Sequence, residues 1–268
     1  MRILVCIKEI QNPELASELF RVDEARKDII PVPGLSLVTS PFDEQAIEAA
    51  LRIRDSGREC QITAITLGPD NAKAAIKRAL SMGADDGVHT LNAGLEQADS
   101  ATIARVLFRA IKAIGHFDLI LAGRQAADWD AGIVGCGLAQ LLRVPLVTFA
   151  KSVQAVDAHI VVERVLDDGT EVVQAPMPCV VTISNELGEP RKASLRETMR
   201  AAKKPTLVQT LESLGVDAAR IRAEREAVQV RERLFVPNKQ NQCELIRGES
   251  AQELARQVIE KLLADKVI

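Results

Sequence analysis

Residues Asp118–Leu142 of the 268-residue chain read DLILAGRQAADWDAGIVGCGLAQLL. The apolar run Leu119–Leu121 predicts a buried strand, and the apolar spacing over Ala131–Leu142 predicts a helix. A polar loop that contains glycine connects the two. The segment therefore predicts a strand, a loop and a helix in succession, the unit from which open α/β sheets are built.

The start of this predicted helix is a candidate site for an anion. In open α/β sheets, ligands lie beyond the carboxyl ends of the strands, where a helix presents unpaired backbone N–H groups and the positive end of its dipole. Glycines let a phosphate approach the backbone closely, and the segment has them at Gly132, Gly135 and Gly137. The same residues fit equally well a helix that Asp130 merely caps and whose glycines pack against the sheet.

The composition excludes several classes of protein. A hydrophobic fraction of 47%, a charged fraction of 26% and a mean hydropathy of +0.04 are ordinary for a soluble globular chain, so neither disorder nor a membrane span is expected. A net charge of −3 and an aromatic fraction of 3% give no general attraction to nucleic acid and few platforms for its bases. The length suits one α/β domain with an extension, or two domains.

The cysteines and histidines do not indicate a metal centre. The five cysteines are scattered without a close pair, as is typical of reduced thiols, and the three histidines lack partners at metal-ligand spacing. The apolar start Ile3–Ile7 is too short for a signal peptide and is followed at once by Lys8. We therefore expect a cytoplasmic protein of bacterial or archaeal type.

Strands and helices alternate through the first half of the chain. Strands are expected at Arg2–Ile7, Ile62–Leu67 and Gly87–Thr90 and after Asp118, and helices after Ser40, over Asn71–Met82 and from Asp99 to Ile114. The segment Lys8–Thr39 is expected to be a structured loop. The alternation predicts a parallel sheet whose loops after Ile7, Leu67 and Leu121 gather at one edge, where they enclose one ligand.

Several start signals coincide at the helix that follows Ser40. Ser40 is a hydroxyl N-cap, Pro41 takes the first helical position, and Asp43 is an acid three residues after the cap. The apolar residues of this helix share one face, which places Glu48 and Arg52 largely on the other. Capping alone would explain both Ser40 and Asp43.

The chain changes character after Pro145. Residues Lys151–Gln174 read as two strands of alternating polarity around a turn at Asp167–Gly169, which is a hairpin signal. Residues Cys179–Ile183 read as a further buried strand.

The last third of the chain carries features that suit contact with another protein. The basic segment Asn185–Pro205 contains Leu195 and Met199 four residues apart, a spacing that presents two apolar anchors on one helix face. The segment Leu207–Gln240 is polar and irregular, and Ser250–Leu263 is an amphipathic helix that we expect to dock on a partner.

Common catalytic and phosphate-binding motifs are missing. There is no Gly-x-Gly-x-x-Gly after the first strand and no Walker A loop, and neither a Gly-x-Ser-x-Gly elbow nor a His-Glu-x-x-His pair occurs. The sequence therefore favours binding over catalysis.

Six segments, taken in order, match one known family. They are VCIKEI at Val5–Ile10, SPFDEQAIEAALRIRD at Ser40–Asp55, LGPDNAKAAIKRALSMGADDGVH at Leu67–His89, GRQAADWDAG at Gly123–Gly132, PCVVTISNELGEPRKASLRETMRAAKKP at Pro178–Pro205, and the terminal KVI. With these segments the chain resembles, almost from end to end, the β subunit of electron-transfer flavoproteins. SMGADDG and NELGEPRKASLRETMRAAKK are the most specific, because folding alone does not demand them.

The resemblance implies a Rossmann-like parallel sheet flanked by helices, of the adenine-nucleotide-binding type, with a β-hairpin insertion and a C-terminal extension that carries a helix. Residues 1–205 would form the nucleotide-binding domain, including the hairpin at 151–175 and a partner-recognition loop at 185–205. Residues 206–268 would form the extension, whose helix packs on a partner α subunit.

The resemblance also implies an electron carrier subunit without catalytic residues of its own. The α subunit of the heterodimer would hold the redox-active FAD, while the β subunit would hold AMP, or a second FAD in electron-bifurcating members. Dehydrogenases such as acyl-CoA dehydrogenases would deliver electrons, and a quinone oxidoreductase or another acceptor would take them.

Site residues follow from the same resemblance. The implied nucleotide contacts are Cys6, Ile7, Lys8, Ser40, Pro41, Phe42, Asp43, Leu67, Gly68, Gly123, Arg124, Gln125, Ala126, Asp128, Asp130, Ala131, Gly132, Ile133 and Val134. The implied partner-docking residues are Arg191, Leu195, Arg196, Met199 and Arg200.

The loop around residue 130 departs from the family pattern. Members with bound AMP often carry hydroxyl or amide side chains where this chain has Ala131–Val134, so phosphate contacts would rest mainly on backbone N–H groups. Asp128 and Asp130 would lie near the phosphate and require a neighbouring cation or an outward-pointing geometry. Arg124 is the candidate for that cation.

Two other functions compete with this interpretation. A stand-alone ATP-binding protein of the universal-stress type would use Gly-x-x-Gly, nine residues and Gly-Ser/Thr; Gly132 and Gly135 fit the first half, but Pro145 and Leu146 stand where the second should be. An ATP pyrophosphatase would need a Ser-Gly-Gly-x-Asp-Ser loop, where this chain has Lys8–Gln11. A purely structural subunit with an empty pocket also fits the apolar loop.

Overall fold

The computed structural model describes residues 1–16, 19–25, 28–30, 32–95, 98–225 and 243–267. Within them, a main sheet contains β1 (Arg2–Cys6), β6 (Gln61–Gly68), β7 (Asp86–Leu91), β8 (Leu119–Gly123), β9 (Leu146–Val156), β10 (His159–Leu166), β11 (Gly169–Pro176), β12 (Cys179–Ile183) and β13 (Thr206–Gln209). Two small sheets pair β2 (Glu9–Ile10) with β5 (Val38–Thr39), and β3 (Arg21–Asp23) with β4 (Asp28–Ile30).

The described residues contain two short 3-10 helices, Asp70–Ala72 and Asn185–Leu187, and seven α-helices. The α-helices are α1 (Pro41–Asp55), α2 (Lys73–Met82), α3 (Ser100–Ile114), α4 (Val134–Leu142), α5 (Leu195–Ala201), α6 (Ala218–Arg225) and α7 (Ala251–Ala264). None of the helices in the described ranges is both long and apolar enough to span a bilayer.

The main sheet has the strand order β11-β10-β9-β12-β8-β1-β6-β7-β13. From β9 to β13 all neighbours in this order run parallel, and β9, β10 and β11 form an antiparallel meander at one end. β1 is central, because Cys6 pairs with Ala122 of β8 on one side and with Ile65 of β6 on the other. The predicted parallel α/β fold is confirmed.

Alternate residues of β1 enter two different cores. Ile3 and Val5 are fully buried in the core formed with α1 and α2, while Leu4 and Cys6 belong to the core formed with α3 and α4. Successive side chains of a strand point to opposite faces, and a parallel sheet covered on both faces therefore needs a continuous apolar run such as Ile3–Cys6.

Three parts of the chain differ from the sequence-based expectation. The insertion contains three strands rather than two, because β9 continues from Leu146 through the residues expected to begin the hairpin. The predicted loop Lys8–Thr39 contains the four strands of the small sheets. Residues expected to be irregular after Leu207 include most of β13, which extends the main sheet beyond β7; residues 226–240 of that segment lie outside the described residues.

The polar face of α1 is also more buried than its sequence pattern predicts. Glu48 was expected to face solvent, but it is only 5% exposed. The segment after β12 covers this side of the helix and supplies Arg191 as an ionic partner. Periodicity predicts the apolar face of a helix, but it does not predict which polar residues another segment will cover.

Candidate functional site

A cavity of about 780 Å³ lies at the carboxyl edge of the main sheet. Cys6, Gly68 and Gly123 line it at the ends of β1, β6 and β8, and Asn92 lines it just after β7. From β1 the chain proceeds to β6 and β7 on one side and returns to β8 on the other, so the strand order reverses at this point. Ligands of open α/β proteins bind at such a reversal.

The fold brings most of the predicted nucleotide contacts to this cavity. The lining includes Cys6, Ile7, Lys8, Asp43, Leu67, Gly68, Gly123, Arg124, Gln125, Ala126, Asp128, Ala131, Gly132, Ile133 and Val134. Ser40, Pro41, Phe42 and Asp130 do not line it. Three of these four belong to the beginning of α1, where only Asp43 reaches the cavity.

One wall of the cavity was missed by the sequence analysis. Asn92 after β7, together with Asp99, Ser100 and Ile103 at the start of α3, lines the cavity beside the predicted loops. The signal for this wall was available, because β7 was predicted as a parallel strand and its carboxyl end must lie at the same edge.

Asp43 joins two strand ends rather than capping α1. Its carboxylate accepts hydrogen bonds from the backbone N–H of Lys8 (2.8 Å) and of Gly123 (3.0 Å). A Cβ on Gly123 would lie 2.6 Å from Asp43 Oδ1, so this approach requires glycine. Ser40 occupies the N-cap position, but its buried hydroxyl makes no capping hydrogen bond, so capping does not explain either residue.

Burial has the largest influence on the pKa of the Asp43 carboxyl. It raises the pKa of the Asp43 carboxyl to about 7, although the two backbone N–H groups and the charge of Lys8 act in the opposite direction. Burial, with a smaller contribution from Asp43, raises the pKa of the neighbouring Cys6 thiol to about 12. Cys6 therefore lies on the cavity wall as a neutral thiol.

Lys8, not Arg124, is the cation that balances Asp128. Lys8 Nζ lies 2.6 Å from Asp128 Oδ2. The guanidinium of Arg124 instead lies over the Phe42 ring, 5.0 Å from its centroid. Asp130 is exposed and accepts a hydrogen bond from Gln125 at 2.8 Å. The repulsion expected between these two acids and a phosphate is thus reduced, because Asp128 is paired with Lys8 and Asp130 is exposed to solvent.

The start of α4 carries no side-chain cap. The helix begins at Val134 with Ile133 at the N-cap, so the alternative that Asp130 caps it is wrong. Gly132 has a φ of +63° in the loop that lines the cavity. Gly135 and Gly137 pack closely instead, because a Cβ would lie 2.7 Å from Thr182 and 2.9 Å from Ala104, respectively. Uncapped N–H groups therefore lie beside the cavity, where an anion is stabilised.

The sequence of this chain is similar to the sequences of known proteins. The model of the electron transfer flavoprotein domain matches residues 36–214. The electron transfer flavoprotein subunit beta of Megasphaera elsdenii and the caffeyl-CoA reductase–Etf complex subunit CarD of Acetobacterium woodii are each 31% identical over the whole of both chains. The acryloyl-CoA reductase electron transfer subunit gamma of Anaerotignum propionicum is 32% identical over 80% of this chain and 79% of its own. This chain belongs to the electron-transfer flavoprotein β-subunit family.

Membership in the electron-transfer flavoprotein β-subunit family confirms the resemblance and the predicted role in electron transfer. The protein is an electron carrier subunit of a flavoprotein complex. The stand-alone ATP-binding alternative is not favoured. No group of three or more potential metal ligands occurs in the part of the chain that the structure describes.

The predicted partner-recognition loop, residues 185–205, is called the docking segment below, and it carries two large exposed apolar side chains. Leu195 is 79% exposed and Met199 67%, one turn apart on α5. Ser194 and Glu197 close a capping box at the start of this helix. Arg196 and Arg200 are exposed beside the apolar pair. Arg191 differs from the other predicted docking residues, because its guanidinium is bound to Glu48 and Asp55 of α1.

Proposed function

We propose that this β subunit holds an adenine nucleotide, either AMP or the AMP portion of a second FAD, in the cavity at the carboxyl edge of the sheet. The observation that carries the proposal is the uncapped start of α4 beside a cavity at the reversal of strand order. A nucleotide needs both an anion site and an apolar space, and the lining provides both.

The residues of the cavity suit the two halves of such a nucleotide. Backbone N–H groups from Gly132 to Gly135, with the dipole of α4, would hold a phosphate. Leu67, Ile103 and Leu107 form an apolar wall for the base. Because Lys8 pairs with Asp128, the charge of this cavity-lining carboxylate is partly neutralised. The side chains at Ala131–Val134 contribute no hydrogen-bond donors, so the backbone would supply the specificity.

In the complex, the redox-active FAD would be held mainly by the α subunit. The β subunit would stabilise the heterodimer and present the docking segment to electron donors such as acyl-CoA dehydrogenases, with a quinone oxidoreductase or another acceptor taking the electrons. The names of two relatives mention caffeyl-CoA reductase and acryloyl-CoA reductase, which supports flavoenzymes of CoA thioesters as the partner class. The pair Leu195 and Met199 would enter an apolar pocket of the donor.

The extension after residue 205 would contact the α subunit through α7. The apolar residues Val258, Ile259 and Leu263 of this helix are 40%, 51% and 57% exposed. Their spacing places them on one stripe of the helix, which a partner subunit would cover.

Ligand release from the intact complex tests the proposal. The chain is co-expressed with the α-like subunit encoded beside it, the purified complex is heated, and released FAD, AMP and ATP are quantified by chromatography. One FAD and one AMP per heterodimer are expected for a simple relay. Two FAD would identify a complex of the electron-bifurcating type. ATP in the cavity, or a heterodimer that contains FAD but no second nucleotide, would overturn the proposed site.

A further inference from the structure

The docking segment is tied to α1 through one buried carboxylate. Glu48 Oε2 accepts hydrogen bonds from Arg191 Nε (2.7 Å) and from the Arg191 backbone N–H (3.2 Å), and Glu48 Oε1 accepts from the second guanidinium nitrogen of Arg191 at 3.2 Å. Arg52 Nε donates to the same oxygen, Oε1, at 3.0 Å. Arg191 also reaches Asp55 at 2.6 Å, so two acids of α1 face two arginines.

We propose that Glu48 is a positioning residue for electron transfer from the donor protein, because it fixes through Arg191 the place of the exposed pair Leu195 and Met199. This inference rests on the proposed docking role of that pair. Arg191 then acts as the link between α1 and the docking segment, rather than as a surface contact with the donor protein.

The segment is held at several points, because α5 packs on α2, Ala201 is buried in the core, and hydrogen bonds hold the chain before and after α5. Before Arg191, Gln45 donates to the carbonyls of Asn185 and Gly188, and Arg52 donates to that of Leu187. After α5, Lys204 donates to the carbonyls of Leu80 and Ala84. Arg191 is the hydrogen-bonded residue that leads directly into the capped start of α5, four residues before Leu195.

The protonation of Glu48 suits a permanent link. Burial on its own would raise the pKa of this carboxyl, but the hydrogen bonds from Arg191 and Arg52 outweigh burial and hold it below its usual value. The charges of Glu48 and Arg191 are therefore both present at neutral pH. A charge-assisted pair of this kind restricts the rotamers of both side chains and the backbone at Arg191.

Loss of the link predicts a change in KM rather than in kcat. Without it, the start of α5 is held less firmly, and the cost of ordering it is added to the binding of the donor. With the redox-active FAD held mainly by the α subunit, as proposed above, the step that follows docking is unaffected. A purely stabilising ion pair would lower the melting temperature without altering KM.

Glu44 provides the matched control on the same helix. It forms a two-fold ion pair with Arg78 of α2, at 2.7 and 3.1 Å, and none of its described side-chain hydrogen bonds reaches the docking segment. Glu44→Gln therefore removes a comparable ion pair one turn earlier in α1. Any effect on KM that Glu48→Gln has and Glu44→Gln lacks comes from the docking segment rather than from the stability of the helix.

The experiment measures steady-state reduction of the purified heterodimer by an acyl-CoA dehydrogenase that reduces the wild-type complex. Glu48→Gln is expected to raise KM about fivefold, with kcat within about twofold and with unchanged FAD and nucleotide content. Glu48→Asp, which keeps the charge, is expected to restore part of the loss. If Glu48→Gln yields no soluble complex, Arg191→Gln tests the same link from its more exposed side.

Leu195→Ala, measured in parallel, separates the positioning role of Glu48 from the docking role of the segment. If Leu195→Ala raises KM while neither Glu48→Gln nor Arg191→Gln does, the positioning role of Glu48 is wrong and the docking role of the segment stands. If all three variants transfer electrons like the wild type, the docking segment itself is misassigned. Equal increases in KM for Glu48→Gln and Glu44→Gln would assign the effect to general loss of stability.

Discussion

The cavity proposed for a nucleotide and the docking segment would bind their partners through different parts of the chain. At the phosphate end of the cavity, the groups available to a ligand are mainly backbone N–H groups near Gly132, and the charged side chains Lys8 and Asp128 pair with each other. At the docking segment, the backbone is capped and tied down, while the side chains of Leu195 and Met199 face solvent.

Because of this difference, we expect the two sites to be sensitive to different kinds of mutation. A backbone-built site tolerates many side chains but is sensitive to changes that alter φ or fill the space near the phosphate. A side-chain anchor is sensitive to truncation, and its effect depends on how well the anchor is held. Variants of one site should therefore leave the readout of the other unchanged.

Gly132→Asp should have the largest effect, which is loss of the nucleotide from the cavity. The residue has a φ of +63° and lines the cavity beside the start of α4, so the variant adds bulk and a negative charge where a phosphate must approach. We expect nucleotide content, measured after heat release from the complex, to fall to near zero. This corresponds to a weakening of at least about a hundredfold.

Gly215→Asp is the matched control for backbone strain. Its φ is +64°, and nothing lies within 4 Å of an added Cβ, so it imposes the same unfavourable φ without approaching the cavity. Full nucleotide content in both variants would show that the phosphate does not lie at Gly132. Loss in both would assign the effect to folding.

Leu195→Ala should have the next largest effect, an increase of about tenfold in KM for the donor dehydrogenase. Leu195 is 79% exposed, so truncation costs the isolated protein little stability, and the loss is specific to the complex with the donor. Val172→Ala is the control, because Val172 is 70% exposed on β11 in the hairpin region. Nucleotide and flavin content should remain unchanged in both variants. An equal KM for wild type and Leu195→Ala at low donor concentration would remove Leu195 from the interface.

The same contrast explains how much of each region the sequence predicted. Alternating apolar runs and caps identified the strands and helices around the cavity, and parallel topology required their loops to meet. The partners of individual charges were not predictable, because they come from distant segments. Asp43 meets Lys8 and Gly123, Asp128 meets Lys8 rather than Arg124, and Glu48 meets Arg191, which is 143 residues away in the chain.

The pH dependence of stability tests whether the Asp43 carboxyl is protonated in the folded chain. The pKa of the Asp43 carboxyl is about 7 in the folded chain and near 3.8 in the unfolded chain, so between these values the folded state carries a proton that the unfolded state has lost. The stabilising contribution of this proton is complete below about pH 4 and is lost as the pH rises through about 7. Asn does not titrate, so the free energy of unfolding of the wild type minus that of Asp43→Asn should fall by at most about 1.4 kcal/mol per pH unit in this window.

Urea denaturation of the two proteins at about pH 5, 6 and 7 measures this difference directly. A difference that stays constant over this range would mean that the N–H groups of Lys8 and Gly123 outweigh burial and keep Asp43 ionised, because the folded and unfolded states would then bind the same number of protons. The cavity would then contain a permanent charge at its base rather than a titrating one.

Ser194→Ala should have the smallest effect and tests whether the helix cap or the Glu48 link orders the docking helix. Ser194 Oγ accepts the N–H of Glu197 at 3.2 Å, and removal of such a cap costs about 1 kcal/mol of local helix stability. Part of this cost must be recovered when the donor binds, so KM should rise about threefold. Ser250→Ala removes an equivalent cap, 3.2 Å from the N–H of Glu253 in α7, and should leave KM unchanged in an intact heterodimer. If Ser194→Ala also leaves KM unchanged, the contacts of Arg191 and Lys204 order α5 by themselves, and the side-chain anchor depends on tertiary ion pairs rather than on its own helix.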